Sequence, residues 1–147
     1  AVFHAINSED VDRIMQHPMT SIASDGPMTI FGVGAPHPRS YGTFARVLGR
    51  YARDRKILTL EEAIRKMTSL PAHVLSINRR GLLKEGYYAD ISIFDSRTII
   101  DRATFEDPHQ YATGINTVLV NGVIVVENGF HNGNRPGRVL RGPGYDL

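Results

Sequence analysis

The hydrophobic period of this chain changes near residue 80. Before that point apolar residues recur at helical spacing between short β-prone runs, and after it they follow strand patterns. Residues 1–6 read as a short buried strand. Asn7 or Ser8 then caps a helix with Glu9, Asp10 and Asp12 in its opening turn, a stripe of Val11, Ile14 and Met15, and an end near Pro18. Residues 20–26 form a second β-prone run, and Gly26 permits a sharp exit from it. Strand, helix, strand is the βαβ unit of a parallel sheet, so this region is expected to be α/β.

A complete eight-stranded (β/α) barrel needs about 250 residues. The chain has 147, so any barrel signature in it is expected to belong to part of a barrel. The opening residues contain no initiator Met and enter a strand at once, which reads as a chain that continues upstream. Hydrophobic residues at 41% and charged residues at 22% are ordinary globular usage and exclude collagen-like, coiled-coil and wholly disordered classes. Seventeen Lys and Arg against fifteen Asp and Glu leave a net charge of +2, too small a surplus to track a phosphate backbone, so nucleic acid is not an expected partner. With no run of about 18 apolar residues and no signal-peptide pattern, no membrane partner is expected and the expected location is cytoplasmic. The chain has no cysteine, hence no disulfide and no thiolate ligand of its own.

Residues 27–42 hold Gly32, Gly34, Gly42, Pro27, Pro36 and Pro38 and are expected to be a loop. It begins just beyond the run that ends in Asp25, at the strand edge where chemistry collects in parallel α/β architectures. The pair Gly32 and Gly34 is too short for a dinucleotide or phosphate-loop fingerprint, so no nucleotide is expected. Phe44, Val47, Leu48 and Tyr51 then repeat at helical spacing, and the arginines at 46, 50, 53 and 55 read as the solvated face of that helix. Thr59 and Glu62 form a capping box for a further helix, stopped near Pro71, and residues 71–77 can add two more turns. Residues 89–95 read as a strand, and residues 117–126 as a hairpin about Asn121-Gly122, a pair suited to a type I′ turn. The stretch from residue 128 to 147 reads as an extended loop.

Four runs then carry a family resemblance: Ser24-Asp25-Gly26, Pro36-His37-Pro38-Arg39, Gly42-Thr43-Phe44-Ala45-Arg46-Val47-Leu48-Gly49 and Arg135-Pro136-Gly137-Arg138-Val139-Leu140. Together they resemble the N-acyl-D-amino-acid deacylases (D-aminoacylases) of the metal-dependent amidohydrolase superfamily, over essentially the whole chain but only the C-terminal portion of such enzymes. The stretch from Gly81 to Asp95 and the Asn121-Gly122 hairpin are less specific, since hydantoinases and dihydroorotases share them. The resemblance implies that residues 1–80 are the last βα elements of an incomplete barrel. Residues 81–147 would be the C-terminal strands and tail of a small β-sandwich.

Asp25 is the first candidate. A carboxylate at the mouth of a barrel strand can approach or ligate a metal and carry the proton that amide hydrolysis must move; the plain alternative is a turn-capping Asp before Gly. By resemblance Asp25 would take the proton from a zinc-bound water and pass it to the departing amine, and would also serve as a metal ligand. Arg39 is the second, because a planar guanidinium grips a carboxylate in two parallel hydrogen bonds and N-acyl amino acids carry one beside the scissile amide; otherwise it is a surface arginine. His37 either lines the same pocket as a substrate-binding residue or packs within its loop. His4 reads as a core residue on the first strand. His17, His73, His109 and His131 lack the spacing of a zinc site.

The chain is therefore expected to be the C-terminal part of a zinc-dependent amidohydrolase that cleaves N-acyl-D-amino acids to a carboxylate and a D-amino acid. The remainder of the enzyme, upstream of residue 1, would be its partner and hold most of the zinc ligands: a His-x-His pair, a cysteine and further histidines. The isolated chain is expected to be inactive. Two other readings stay open: a non-catalytic, partner-binding module, or part of a hydantoinase- or dihydroorotase-like cyclic amidase.

Overall fold

The computed structural model describes residues 6–145. The expected opening strand, with His4, lies outside them apart from Ile6. Helix α1, Ser8–Gln16, starts where Asn7 accepts the Asp10 N–H at 2.8 Å and ends at His17, ahead of Pro18. Met15 packs on the core, but Ile14 is 53% exposed, so the expected apolar stripe is only partly buried.

Residues 20–26 run without a strand partner among the described residues, where a strand was expected. A parallel ladder needs a neighbouring strand. Here the Ile22 N–H goes instead to the Lys66 carbonyl at 3.0 Å. Lys66 is fully buried, and its ammonium donates to the carbonyls of His17 and Thr20 and lies 3.6 Å from the Glu62 carboxylate. That ammonium ties the end of α1, and the run leading to Asp25, onto helix α3, Leu60–Met67. Thr59 caps α3 by accepting the Glu62 N–H at 3.2 Å. The Glu62 side chain does not return to the cap as a capping box expects; it pairs with Arg65, and this holds its pKa down at about 2. Helix α4, Ser69–Val74, follows, with Pro71 inside its first turn rather than beyond a helix end.

Helix α2, Arg39–Arg46, continues as a π-helical stretch, Val47–Asp54, in which the Arg55 N–H reaches back five residues to the Arg50 carbonyl at 2.9 Å. One side of this long element carries Gly42, Ala45, Gly49 and Ala52, and it lies directly on the backbone at residues 99–101. The arginine face corrects the solvated reading. Arg46 pairs with Asp101 at 2.5 Å, Arg53 donates to the Ile99 carbonyl at 2.7 Å, and Arg55 grips Asp12 on α1; Arg50 is exposed. Arg46, Arg53 and Arg55 each have a partner too distant in sequence for spacing to reveal.

The core consists of Ala45, Val47, Leu48, Ala52, Leu58, Ala63 and Ile99. Its edge takes in Phe94, Ala112 and Ile115, so residues on both sides of position 80 share it. Four antiparallel strands form the one sheet among the described residues, in the order β1 (Ile91–Phe94), β2 (Ile115–Val120), β3 (Val123–Glu127) and β4 (Phe130–His131). Asn121 and Gly122 take φ of 49° and 82°, the expected type I′ pair, between β2 and β3. Asn128 and Gly129 repeat it at 52° and 82° before β4, inside a stretch that had read as loop. Between β1 and β2 an isolated bridge joins Ile100 to Thr113, and residues 101–112 project from it as an excursion. No helix of the described residues is long and apolar enough to cross a membrane.

A Cβ on Gly49 would sit 2.3 Å from the Ile99 carbonyl oxygen, whereas a Cβ on Gly122 meets nothing within 4 Å. Gly49→Ala is therefore expected to lower stability by about 1–3 kcal/mol through forced separation of helix and backbone. Gly122→Ala should lose about 1–2 kcal/mol from its left-handed conformation alone. Urea unfolding followed by near-UV circular dichroism, which reports tertiary packing, separates them, since only Gly49→Ala should loosen the native core.

Candidate active-site mouth

Asp25 and Arg39, fourteen positions apart in sequence, meet in an ion pair of 3.0 Å. Asp25 adopts a left-handed φ of 48°, so the turn that ends the run is made by the aspartate and not by the glycine after it. Gly26 serves another purpose. A Cβ there would lie 2.8 Å from Ser40 Cα, so the missing side chain lets Asp25 and Gly26 lie against the first turn of α2. Ser24 Oγ accepts the Gly26 N–H at 3.3 Å and steadies the same turn.

Arg39 is the first residue of α2, behind Pro38, a residue preorganised for a helix start. His37 accepts the Arg39 N–H on Nδ1 at 3.1 Å, so its imidazole covers a backbone donor that the helix leaves free. Its ring meets Phe105 edge-on at 4.9 Å. Burial, and then the neighbouring Arg39 guanidinium, hold the His37 pKa below its ordinary value. The side chains of Asp25 and Arg39 are 88% and 41% exposed. The pair therefore stands open to solvent, where a second carboxylate can compete for the guanidinium.

The loop between them, residues 27–36, carries no charge. It is fastened from the 101–112 excursion: His109 meets the Gly32 N–H, the Gly34 carbonyl and the Tyr41 hydroxyl, and Phe31 stacks on Tyr111 at 5.0 Å. Sequence reasoning passed over His109, because a single histidine in a polar loop has no spacing signal and its partners lie 68 to 77 positions away. Among the described residues no group of three or more His, Cys, Asp or Glu is placed to hold a metal ion. Asp25 is paired to Arg39, and a single exposed carboxylate paired to an arginine does not amount to a zinc site.

Residues 3–126 match the model of the amidohydrolase family. The chain is 45% identical to N-acyl-D-glutamate deacylase of Alcaligenes xylosoxydans xylosoxydans over 96% of its own length and 28% of that protein. It is 44% identical to the D-aminoacylase of the same organism over 95% of its length and again 28% of the relative. The solved structure of N-acyl-D-glutamate deacylase from Bordetella bronchiseptica, complexed with zinc and a phosphonate inhibitor that mimics the tetrahedral intermediate, superposes with a TM-score of 0.81 at 44% identity, covering 92% of this chain and 28% of that one. The chain thus spans little more than a quarter of the relatives it matches.

The lowered His37 pKa has a pH consequence. Its neutral form is favoured by folding, so its contribution to stability is complete above the unfolded value near 6.5 and is lost as pH falls through the lower folded midpoint. An NMR titration of the His37 ring should give a midpoint below 6.5, moving upward but not fully back in Arg39→Ala, since burial is the larger cause. An unchanged midpoint in that variant would remove Arg39 from the account.

Proposed function

Because this chain belongs to the amidohydrolase family, we propose that it is the C-terminal part of a zinc-dependent hydrolase that cleaves the amide of N-acyl-D-amino acids to a carboxylate and a D-amino acid. Residues 1–80 would supply the last βα elements of its barrel, and residues 81–147 the C-terminal strands and tail of a small β domain. The zinc would be held chiefly by the remainder of the enzyme, with Asp25 the ligand this chain can add. The described residues do not by themselves make a metal site, and this chain's own side chains bind, orient and move protons.

One observation carries the reading: a carboxylate and a guanidinium, each of the type amide hydrolysis of an N-acyl amino acid requires, share one open mouth at 3.0 Å. Hydrolysis forms a bond from a water oxygen to the acyl carbon and breaks the bond from that carbon to nitrogen. One proton must leave the water and one must reach the departing amine. Asp25 does both in turn, as general base and then as general acid. Arg39 receives the substrate carboxylate in two parallel charge-assisted hydrogen bonds. A substrate that takes the guanidinium competes with Asp25 for it, so binding frees the aspartate for proton transfer. His37 lines this mouth and orients Arg39 through the bond from its backbone N–H.

Two substitutions in the full-length enzyme test this. Asp25→Asn keeps the shape but cannot accept a proton, and turnover should fall by about two to four orders of magnitude; near wild-type turnover would reduce Asp25 to a turn residue. Arg39→Lys replaces a fork with a point charge and should lower kcat/KM for N-acyl-D-amino acids about ten- to a hundredfold. The already poor hydrolysis of an N-acyl amine, which has no carboxylate, should scarcely change. Equal losses on both substrates would assign Arg39 to loop architecture.

A further inference from the structure

The 101–112 excursion reaches α2, His37 and the 27–36 loop through Asp101 on Arg46, Phe105 on His37, Tyr111 on Phe31, and His109 on the loop itself. The last contact has a definite hydrogen-bond logic. The Gly34 carbonyl, 2.9 Å from His109 Nε2, can only accept, so Nε2 carries the proton. Nδ1 is then a bare acceptor. Its single lone pair is shared between the Gly32 N–H at 3.1 Å and the Tyr41 O–H at 2.9 Å, and the Tyr41 oxygen in turn accepts from Thr29 Oγ1 at 3.1 Å. Every proton in this relay has one direction. Three points of the loop, Thr29, Gly32 and Gly34, thereby hang on one imidazole that comes from a distant part of the chain.

The loop has few other anchors. Its own turn is a single bond from the Val33 N–H to the Ile30 carbonyl, and both Gly32 and Gly34 sit at left-handed φ. Met28, Ile30 and Val33 are exposed. Asp25 and Arg39 flank the loop on either side, so its path bounds the mouth that they form. Phe31, stacked on Tyr111 and edge-on to Tyr41 and His109, adds apolar contact on the same side as the relay.

We propose that His109, held as its Nε2–H tautomer, is a positioning residue that latches the 27–36 loop beside Asp25 and Arg39 and so shapes substrate binding without touching the reacting atoms. This rests on the deacylase reading for what the mouth binds; the latch itself does not. A latch of this kind acts on the population of loop conformers that can receive substrate, and its loss raises KM more than it lowers kcat.

The test uses the full-length enzyme. Nitrogen-15 shifts of the His109 ring should show a protonated Nε2 and an unprotonated Nδ1. In His109→Ala, amide exchange in the peptide containing Gly32 should accelerate at least tenfold, and KM for an N-acetyl-D-amino acid should rise about tenfold with kcat within about threefold. His109→Asn places an oxygen near the Nδ1 position and should recover most of both effects, whereas His109→Gln keeps only a donor for Gly34 and should recover little. A protonated Nδ1, or loop exchange unchanged in His109→Ala, would overturn the latch. Faster loop exchange with unchanged KM would overturn its part in binding. If the wild-type enzyme hydrolyses no N-acyl-D-amino acid, the deacylase reading fails on its own, and the exchange and nitrogen shifts still decide the latch.

Discussion

A helix can rest on another stretch of backbone only where no side chain stands between them. Gly42 and Gly49, seven residues apart on α2 and its π-helical continuation, provide that bare stripe against Asp101 and Ile99. Much of the mouth inherits its position from this contact. It sets where the first turn of α2, and hence Arg39, stands, and it fixes the root of the 101–112 excursion that fastens the 27–36 loop. Arg46 and Arg53 then lock the stripe in register through Asp101 and the Ile99 carbonyl.

The Asp25–Arg39 pair has a different character. Exposed ion pairs contribute only about 0–1 kcal/mol, because water competes for both partners. Such a contact holds two side chains near each other without committing either. Under the proposed function, in which the guanidinium passes to an incoming carboxylate, a weak resting partner is the suitable one.

What the sequence displayed was local. Asn7 and Thr59 as caps, and Asn121-Gly122 as a turn, are decided within three or four residues, and a single chain shows them directly. Asp25, Arg39 and His37 were legible as candidates, and the structure brings all three to the first turn of α2. The reason for Gly26 was not, since a glycine required for close approach looks the same in sequence as one required for a left-handed φ. Arg50 is solvated as read, but Arg46, Arg53 and Arg55 were misread because Asp101, Ile99 and Asp12 lie 43 to 55 positions away. His109 belongs with them: its role is wholly tertiary. The run at residues 20–26 kept its β-prone composition, but a strand exists only through its neighbours, and among the described residues the Ile22 N–H goes to the Lys66 carbonyl.

Lys66 bears on how this sequence can drift. Its ammonium is enclosed by two carbonyls and a carboxylate in a socket that water does not enter. A tetrahedral donor satisfies three acceptors arranged around a point; a planar guanidinium presents its donors in a sheet and needs more room. The position therefore tolerates neither loss of charge nor the exchange of one cation for the other. Across descendants of this chain it should change only together with the residues that line the socket, so a lysine with no part in the mouth itself would vary as little as the helix end and the run that it joins.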